Sequence, residues 1–372
     1  MLKKIISAVG IYFIPFHLWA QVINTATLDT LGGEQIGKIR IGGYLDTYYG
    51  YNFNNAPNNV VPYMVSMHRH NEVTVNLAYI DLRYNTERLR ARIVPAMGTY
   101  MNANYAAEAG VFKNMLEASA GVKLHPNKDI WLDAGVLGSP YTNESAISRE
   151  HLMYTRSFSA EYSPYYLSGA KLTVPLSKKT TLYTYFINGW QQIQDVNDQK
   201  SIGTQVEYRP DSKNLINWNT YAGSERSAAR PDFGMRYFTD VYWIHNPDGR
   251  FSSTACVYGG MQERINIMQQ TVSYFWGQAN YIARLRIKTN KWVSARVEYF
   301  TDPENVMLRS INGQNKYSAG SGSICYTVKL FNQAMLRAEA RHFYSENTVF
   351  RNAANLPVNQ STWLIGNMTV WF

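Results

Sequence analysis

The sequence predicts an all-β protein, a transmembrane antiparallel β-barrel of about 16 strands. Three observations carry this expectation. From Lys38 onward, stretches of about ten residues alternate in polarity, which is the period of half-exposed strands. The connections between those stretches alternate between short turns and longer polar segments. The chain ends on an aromatic, Phe372, which closes an alternating apolar face.

Ahead of the strands, Met1 to Ala20 reads as a secretory signal, with Lys3 and Lys4 as a positive start and a mostly apolar stretch from Ile5 to Trp19. Cleavage after Ala20 is the natural expectation, although Leu18 departs from the small residue usual three positions before the cut. No Cys follows, so the leader is not of the lipoprotein type. Gln21 to Gly37 then forms a periplasmic tail or a short plug, and residues 38–372 form the barrel.

In the first strand Ile39, Ile41, Leu45, Tyr49, Tyr51 and Phe53 share one face, and Arg40, Tyr44, Asp46, Tyr48 and Asn52 share the other. Leu116, Ala118, Ala120, Val122 and Leu124 oppose Glu117, Ser119 and Lys123 in the same way. Ala279, Tyr281, Ala283, Leu285 and Ile287 are offset by one from Asn280, Arg284 and Arg286. Val73 to Tyr84 changes phase midway, and Thr181 to Gly189 fits either phase.

Short turns fall near 85–88, 125–128, 177–180, 210–213, 246–249, 289–291 and 332–333. Longer polar segments fall near 54–71, 102–114, 140–164, 191–200, 224–233, 264–273, 302–315 and 346–359. Strict alternation puts all short turns at one end of the strands and all long loops at the other. Tandem sandwiches or a propeller would also give many short strands, but not this alternation. In an outer-membrane barrel the short turns and both termini face the periplasm. A closed sheet pairs every backbone group between strands, as hydrocarbon surroundings require. On the last strand Leu364, Met368, Val370 and Phe372 lie on one face, resembling the C-terminal signature that barrel-assembly machinery reads.

Composition narrows the alternatives. Charged residues make up 17% of the chain and no run of 18 apolar residues occurs, which excludes an extended charged coil and a helical membrane span. Aromatics are abundant, with 28 Tyr, 15 Phe and 9 Trp. Cys256 and Cys325 are too few for a disulfide framework and are expected as free, strand-borne thiols.

Gly43 to Asn54 reads GYLDTYYGYNFN, Asn143 to Leu172 reads NESAISREHLMYTRSFSAEYSPYYLSGAKL, and Asn188 to Gln191 reads NGWQ. Together these resemble the OmpL-like family of outer-membrane β-barrel porins from Gram-negative bacteria, through most of the chain. The resemblance implies an outer-membrane barrel with a pore. It supplies no catalytic residues and no established solute.

In a barrel, function belongs to the inward face. The alternation turns Arg40, Arg90, Arg92, Lys123, Lys171, Arg209, Arg236, Arg284, Arg286, Arg296, Lys329, Arg337 and Arg341 inward, against Asp46, Asp81, Glu117, Asp133, Glu207, Asp240, Glu298 and Glu339. This positive excess predicts a mildly anion-favouring pore for small polar solutes. The alternative is that these charges pair along the wall and fill the barrel. Glu144 to Ser163 is the longest connection and the candidate constriction. A helical stretch over Ala146 to Phe158 is expected there, capped by Ser145 or Ser148, with Arg149, His151 and Arg156 exposed. An outward lid or a partner contact is equally compatible with these residues.

No cofactor, metal or nucleic-acid site is expected. His68 and His70 are two ligands at most, Glu339 sits between Arg337 and Arg341 as a salt-bridge ladder rather than a general base, and no nucleophile or phosphate-loop pattern is present. The expected contacts are lipid on the outside, small polar solutes within, and the assembly machinery at Phe372. A loop-plugged barrel that binds a partner or surface glycan is the second functional class, and a hydrolase the third.

Overall fold

The computed structural model describes residues 33–55, 57–308, 311 and 316–372. The leader at Met1 to Ala20 and most of Gln21 to Gly37 lie outside the described residues.

Sixteen antiparallel strands close into one barrel. They are β1 Ile39–Asn52, β2 Val73–Asn85, β3 Leu89–Met97, β4 Met115–Lys123, β5 Trp131–Gly138, β6 Tyr166–Pro175, β7 Thr180–Ile187 and β8 Ser201–Tyr208. The second half is β9 Asn214–Ser224, β10 Phe233–His245, β11 Phe251–Ile265, β12 Thr271–Lys288, β13 Lys291–Asp302, β14 Tyr317–Leu330, β15 Ala334–Tyr344 and β16 Gln360–Trp371. Each strand pairs with its neighbours in sequence, and β16 pairs with β1 through Trp371↔Tyr44 to Trp363↔Asn52. A short strand, Glu34–Ile36, folds back on the start of β1.

Short and long connections alternate as the sequence implies, with one exception in size. The connection between β11 and β12 is only the five residues 266–270, because those two strands run to 15 and 18 residues and absorb half of the expected loop. The phase change in β2 is a bulge at Asn76. Leu77 pairs with Asp46 while Val75 pairs with Thr47, so one extra residue flips the alternation. Beyond the bulge Tyr79, Asp81 and Arg83 face inward.

Outward positions carry the apolar side chains that hydrocarbon requires: Leu45, Tyr49, Val257, Tyr281, Ile324 and Leu364 are all exposed. The buried residues are the inward ones, joined by loop residues that enter the lumen. Among the described residues two large apolar clusters form there, one around Phe158, Tyr162, Phe300 and Phe343, the other around Tyr79, Tyr100, Tyr105 and Tyr166, with a smaller one at Leu215, Tyr242, Ile244 and Cys256. The core of this protein therefore sits inside the barrel.

Candidate functional site

The segment 139–165 turns into the lumen, and nearly all of it is buried. Its expected helix is absent. Only the 3-10 turn Ser148–Glu150 and the helical turn Phe158–Glu161 are regular. The reason lies in where its backbone hydrogen bonds go. The N–H groups of Tyr154 and Thr155 donate to Glu339 (2.9 and 2.8 Å), that of Phe158 to Glu298 (2.6 Å), and that of Ser157 to Glu144 (2.7 Å). Carboxylates of the wall and of the loop itself thus take donors that a helix would have paired four residues back, a charge-assisted exchange.

Arginines hold the carbonyl side of the same segment. Arg337 donates to the Ser148 carbonyl (2.6 Å) and the Met153 carbonyl (3.1 Å), Arg296 to the Thr155 carbonyl (2.6 Å), and Arg341 to the Arg156 carbonyl (2.8 Å). Ionic contacts link the anchors: Arg296 meets Glu298 (3.2 Å) and Glu339 (3.0 Å), and Arg341 meets Glu298 (2.5 Å). Arg296 and Glu339 come from β13 and β15 and meet across β14, where Ser321 and Ser323 are small enough to lie beneath them and bond to Glu298 and Arg296. On β1, Asp46 accepts from Ser148 (3.0 Å), Tyr154 (3.2 Å), Asn76 and Asn367. On the far wall Asp240 accepts the Thr142 N–H (2.6 Å) and Asn280 bonds Asn143.

The three loop residues expected in the constriction are in the lumen but not exposed as expected. Arg156 is fully buried, bonds the Ser145 and Ala146 carbonyls of its own loop, and stacks on Tyr100 and Tyr165. Burial, then the positive charges of Arg156 and Arg337, hold His151 well below the ordinary histidine range, so its ring is neutral. Arg149 is half-buried over Trp371 at the short-turn end. Burial raises the carboxyls of Glu144 and Glu161 above their usual range. Glu161 also receives the N–H groups of Val65 and Ser66, which latches loop 53–72 onto the inner segment.

A second ionic group lies on the opposite wall. Arg83 and Arg92 share Asp81 (2.6 and 2.7 Å), Arg92 reaches Glu117 (3.3 Å), Arg90 grips Asp133 (2.5 Å), and Lys171 lies 3.6 Å from Asp133. The Arg90–Asp133 pair spans β4 at Gly121, where an added Cβ would sit 2.2 Å from the Asp133 carboxylate. Nearer the turns Lys123 meets Asp129 and Arg209 meets Glu207.

The nominated wall residues therefore separate into sets. Arg296, Arg337 and Arg341 do not line an open pore, because they are at most 4% exposed and bound to the inner loop, Arg296 and Arg341 also to Glu298 or Glu339 and Arg337 to Asn367. Arg236 is buried between Trp190 and Trp276 and bonds Gln262. Arg40, Arg284, Arg286 and Lys329 make no salt bridge among the described residues, and all lie toward the short-turn end. Sequence reasoning did not nominate Arg83, two residues beyond Asp81 on the same face, nor Thr155, Asn143 and the inward-facing Asn280, whose roles depend on where a loop lands. Cys256 and Cys325 are both free and buried. His68 and His70 bond within loop 53–72 and to the backbone of β1. Among the described residues no three His, Cys, Asp or Glu side chains cluster as a metal site would require.

Among curated proteins none matches the sequence. Solved structures of similar shape are outer-membrane barrels. The channel DcaP of Acinetobacter baumannii has 9% identity and a TM-score of 0.61, over 91% of this chain and 100% of that one. OmpT of Vibrio cholerae has 9% identity and a TM-score of 0.59, over 91% and 99%. An anion-selective porin from Comamonas acidovorans has 7% identity and a TM-score of 0.56, over 90% and 99%. At such identities the likeness is one of fold. The family described as "Putative beta-barrel porin-2, OmpL-like" matches residues 38–372, and with sixteen closed strands and a loop seated in the lumen the chain belongs to that family of bacterial outer-membrane porins.

Proposed function

We propose that this barrel is a diffusion channel for small polar solutes whose passage is set by the inner segment 139–165. The observation that carries this reading is the way that segment is mounted: it crosses a barrel wide enough for an aqueous path, held by side chains of β1, β10, β13 and β15. The protein acts by letting solutes through rather than by catalysis, as in its porin family.

A weak preference for anions is part of the proposal, and its basis is Arg40, Arg284, Arg286 and Lys329 near one mouth, which make no salt bridge among the described residues. Guanidinium charge is permanent, and a Debye length of about 8 Å leaves the field partly unscreened in a narrow passage. The Comamonas acidovorans barrel is anion-selective, so the architecture is compatible with that property. By the usual orientation of such barrels, this mouth and both termini face the periplasm. A cleaved leader at Met1 to Ala20, a Gram-negative source, and recognition of Phe372 by assembly machinery complete the proposal.

A second reading is a plugged barrel whose outer loops bind a partner or surface glycan. It is favoured by the near-complete burial of 139–165. Planar-bilayer conductance of the full chain, compared with a variant lacking residues 146–156, separates the two. Measurable conductance that rises on deletion supports the channel, and silence in both proteins supports the plug.

A further inference from the structure

On the channel reading above, we infer that the hairpin 57–72, within loop 53–72, is a strap that locks the inner segment in its docked state from the outer side. Glu161 is its catch, and control of the constriction thereby passes to the outer loops. The hairpin is built on the backbone: the Val61 N–H donates to the His68 carbonyl, that of His70 to the Asn59 carbonyl, and Val60 pairs with Arg69. Its stem is fixed to β1, where the Asn52 N–H donates to His70 Nδ1 (2.9 Å) and the Asn71 N–H to the Gly50 carbonyl (2.7 Å). Its tip enters the lumen, and Met64, Ser66 and Met67 are buried there.

The inner segment itself grips that tip. One oxygen of Glu161 takes both the Val65 and the Ser66 N–H (2.6 and 3.0 Å), and the Tyr162 hydroxyl donates to the Tyr63 carbonyl (2.6 Å). From the wall, Asn76, the bulge residue of β2, accepts the Met67 N–H at 3.3 Å. The gripped shape is strained. Tyr63 (φ 63°) and Met67 (φ 50°), on either side of Val65 and Ser66, stand in the left-handed region that bulky side chains rarely adopt. Such a conformation persists only where its surroundings impose it. Here Glu161 and Tyr162 impose it, so a tip released from them relaxes away from the segment.

The tip also covers the clamp. Arg341, which holds the Arg156 carbonyl, donates to Met64 Sδ at 3.9 Å. The strap therefore has to lift before the segment can leave its arginines. At its outer side the Tyr63 hydroxyl donates to the Val349 carbonyl (2.5 Å), and the Tyr63 ring packs edge-on against Phe350. Movement of loop 345–359 thus reaches the catch through a single residue, two positions from the gripped pair.

Maleimide labelling of Ser66→Cys in the refolded full-length barrel reads the strap directly, since Cys256 and Cys325 are both buried. This parent should label slowly. Adding Glu161→Gln should raise the rate about tenfold or more, and Tyr162→Phe by a smaller factor. Asp198→Asn, which removes an exposed carboxylate from another outer loop, should label like the parent. Protease cleavage within 139–165 should quicken in Glu161→Gln alongside the labelling. Heat-modifiable migration on gels verifies folding of each variant. Rapid labelling of the parent, or equal rates in the folded parent and Glu161→Gln proteins, overturns the strap. Labelling that rises while cleavage of 139–165 does not describes a cover without a lock, and overturns it too. Faster labelling and cleavage in a barrel that conducts in neither form refutes the channel reading and leaves the lock standing.

Discussion

Thr155 is tied to Glu339 twice, by its backbone N–H at 2.8 Å and by its hydroxyl at 2.5 Å, at a point where both residues are buried. The carboxylate also holds Arg296, so one wall residue fixes both a loop and a neighbouring charge.

Glu339→Gln keeps the shape and removes the charge. It should weaken loop docking by about 2 kcal/mol, near thirtyfold in the docked ratio, since a charged acceptor of several donors is lost. Protease cleavage within 139–165 and larger single-channel events are the expected signs. Unchanged cleavage and conductance would show that the loop is held without this carboxylate.

Selectivity should follow the cations that make no salt bridge among the described residues and not the clamping ones. Arg284→Ser with Arg286→Ser is expected to reduce anion preference in reversal potentials across a KCl gradient, and the effect should shrink as salt rises. Arg341→Gln should alter loop cleavage more than ion preference. The opposite partition would place the selective charges at the clamp.

Acid should act on the loop through His151. Its folded value lies well below the ordinary 6.5, so the docked loop prefers the neutral ring. That contribution is complete above about pH 6.5 and is lost as pH falls toward the folded value. Arg156, Arg337 and Arg296 disfavour the charged ring. Glu144 and Glu150 line the same small cavity. Glu144 and Glu161, raised by burial, contribute in the opposite sense, with stabilisation present at low pH and lost as pH rises through their folded values. In His151→Gln only the first component disappears. Loop cleavage measured at pH 7.5 and pH 5 should therefore diverge between parent and variant only at the lower pH, and a constant difference would refute the assignment.

The alternation identified sixteen strands and their inward faces because lipid outside and charge inside impose a period of two on nearly every strand. Where the period breaks at Asn76 the phase had to be read afresh: Asp81 was turned inward correctly, and Arg83, two positions on, shares that face, but its role depends on sharing Asp81 with Arg92 of the next strand. The loop was harder. Ala146 to Phe158 has helical preference, but Glu298 and Glu339, some 140 and 185 positions away, take its N–H groups. No local pattern encodes that competition. The mix of charges on β13 and β15 was legible, whereas their shared partner was not.

Assembly offers the final test. The Phe372 backbone pairs both ways with Gly43, at 3.0 and 3.1 Å, and its ring covers the place where a Gly43 side chain would stand. Deleting Phe372 should lower the yield of heat-modifiable barrel far more than deleting Asn355 from an outer loop. Gly43→Val should give an intermediate loss, by forcing the ring aside. Equal yields would leave the last residue without a role.

The seam beside that residue also sets the order of events in time. Asn367 on β16 reaches Asp46 on β1 at 3.1 Å, across 321 positions of chain. Until Gln360–Trp371 arrives, β1 has only one barrel-strand neighbour and leaves an unsatisfied edge, the kind that recruits other chains. Loop closure over such a separation is slow. A fragment without the last strand leaves β1 and β15 with open edges, so closure is a late event that waits for Gln360–Trp371 and needs those edges guarded until then.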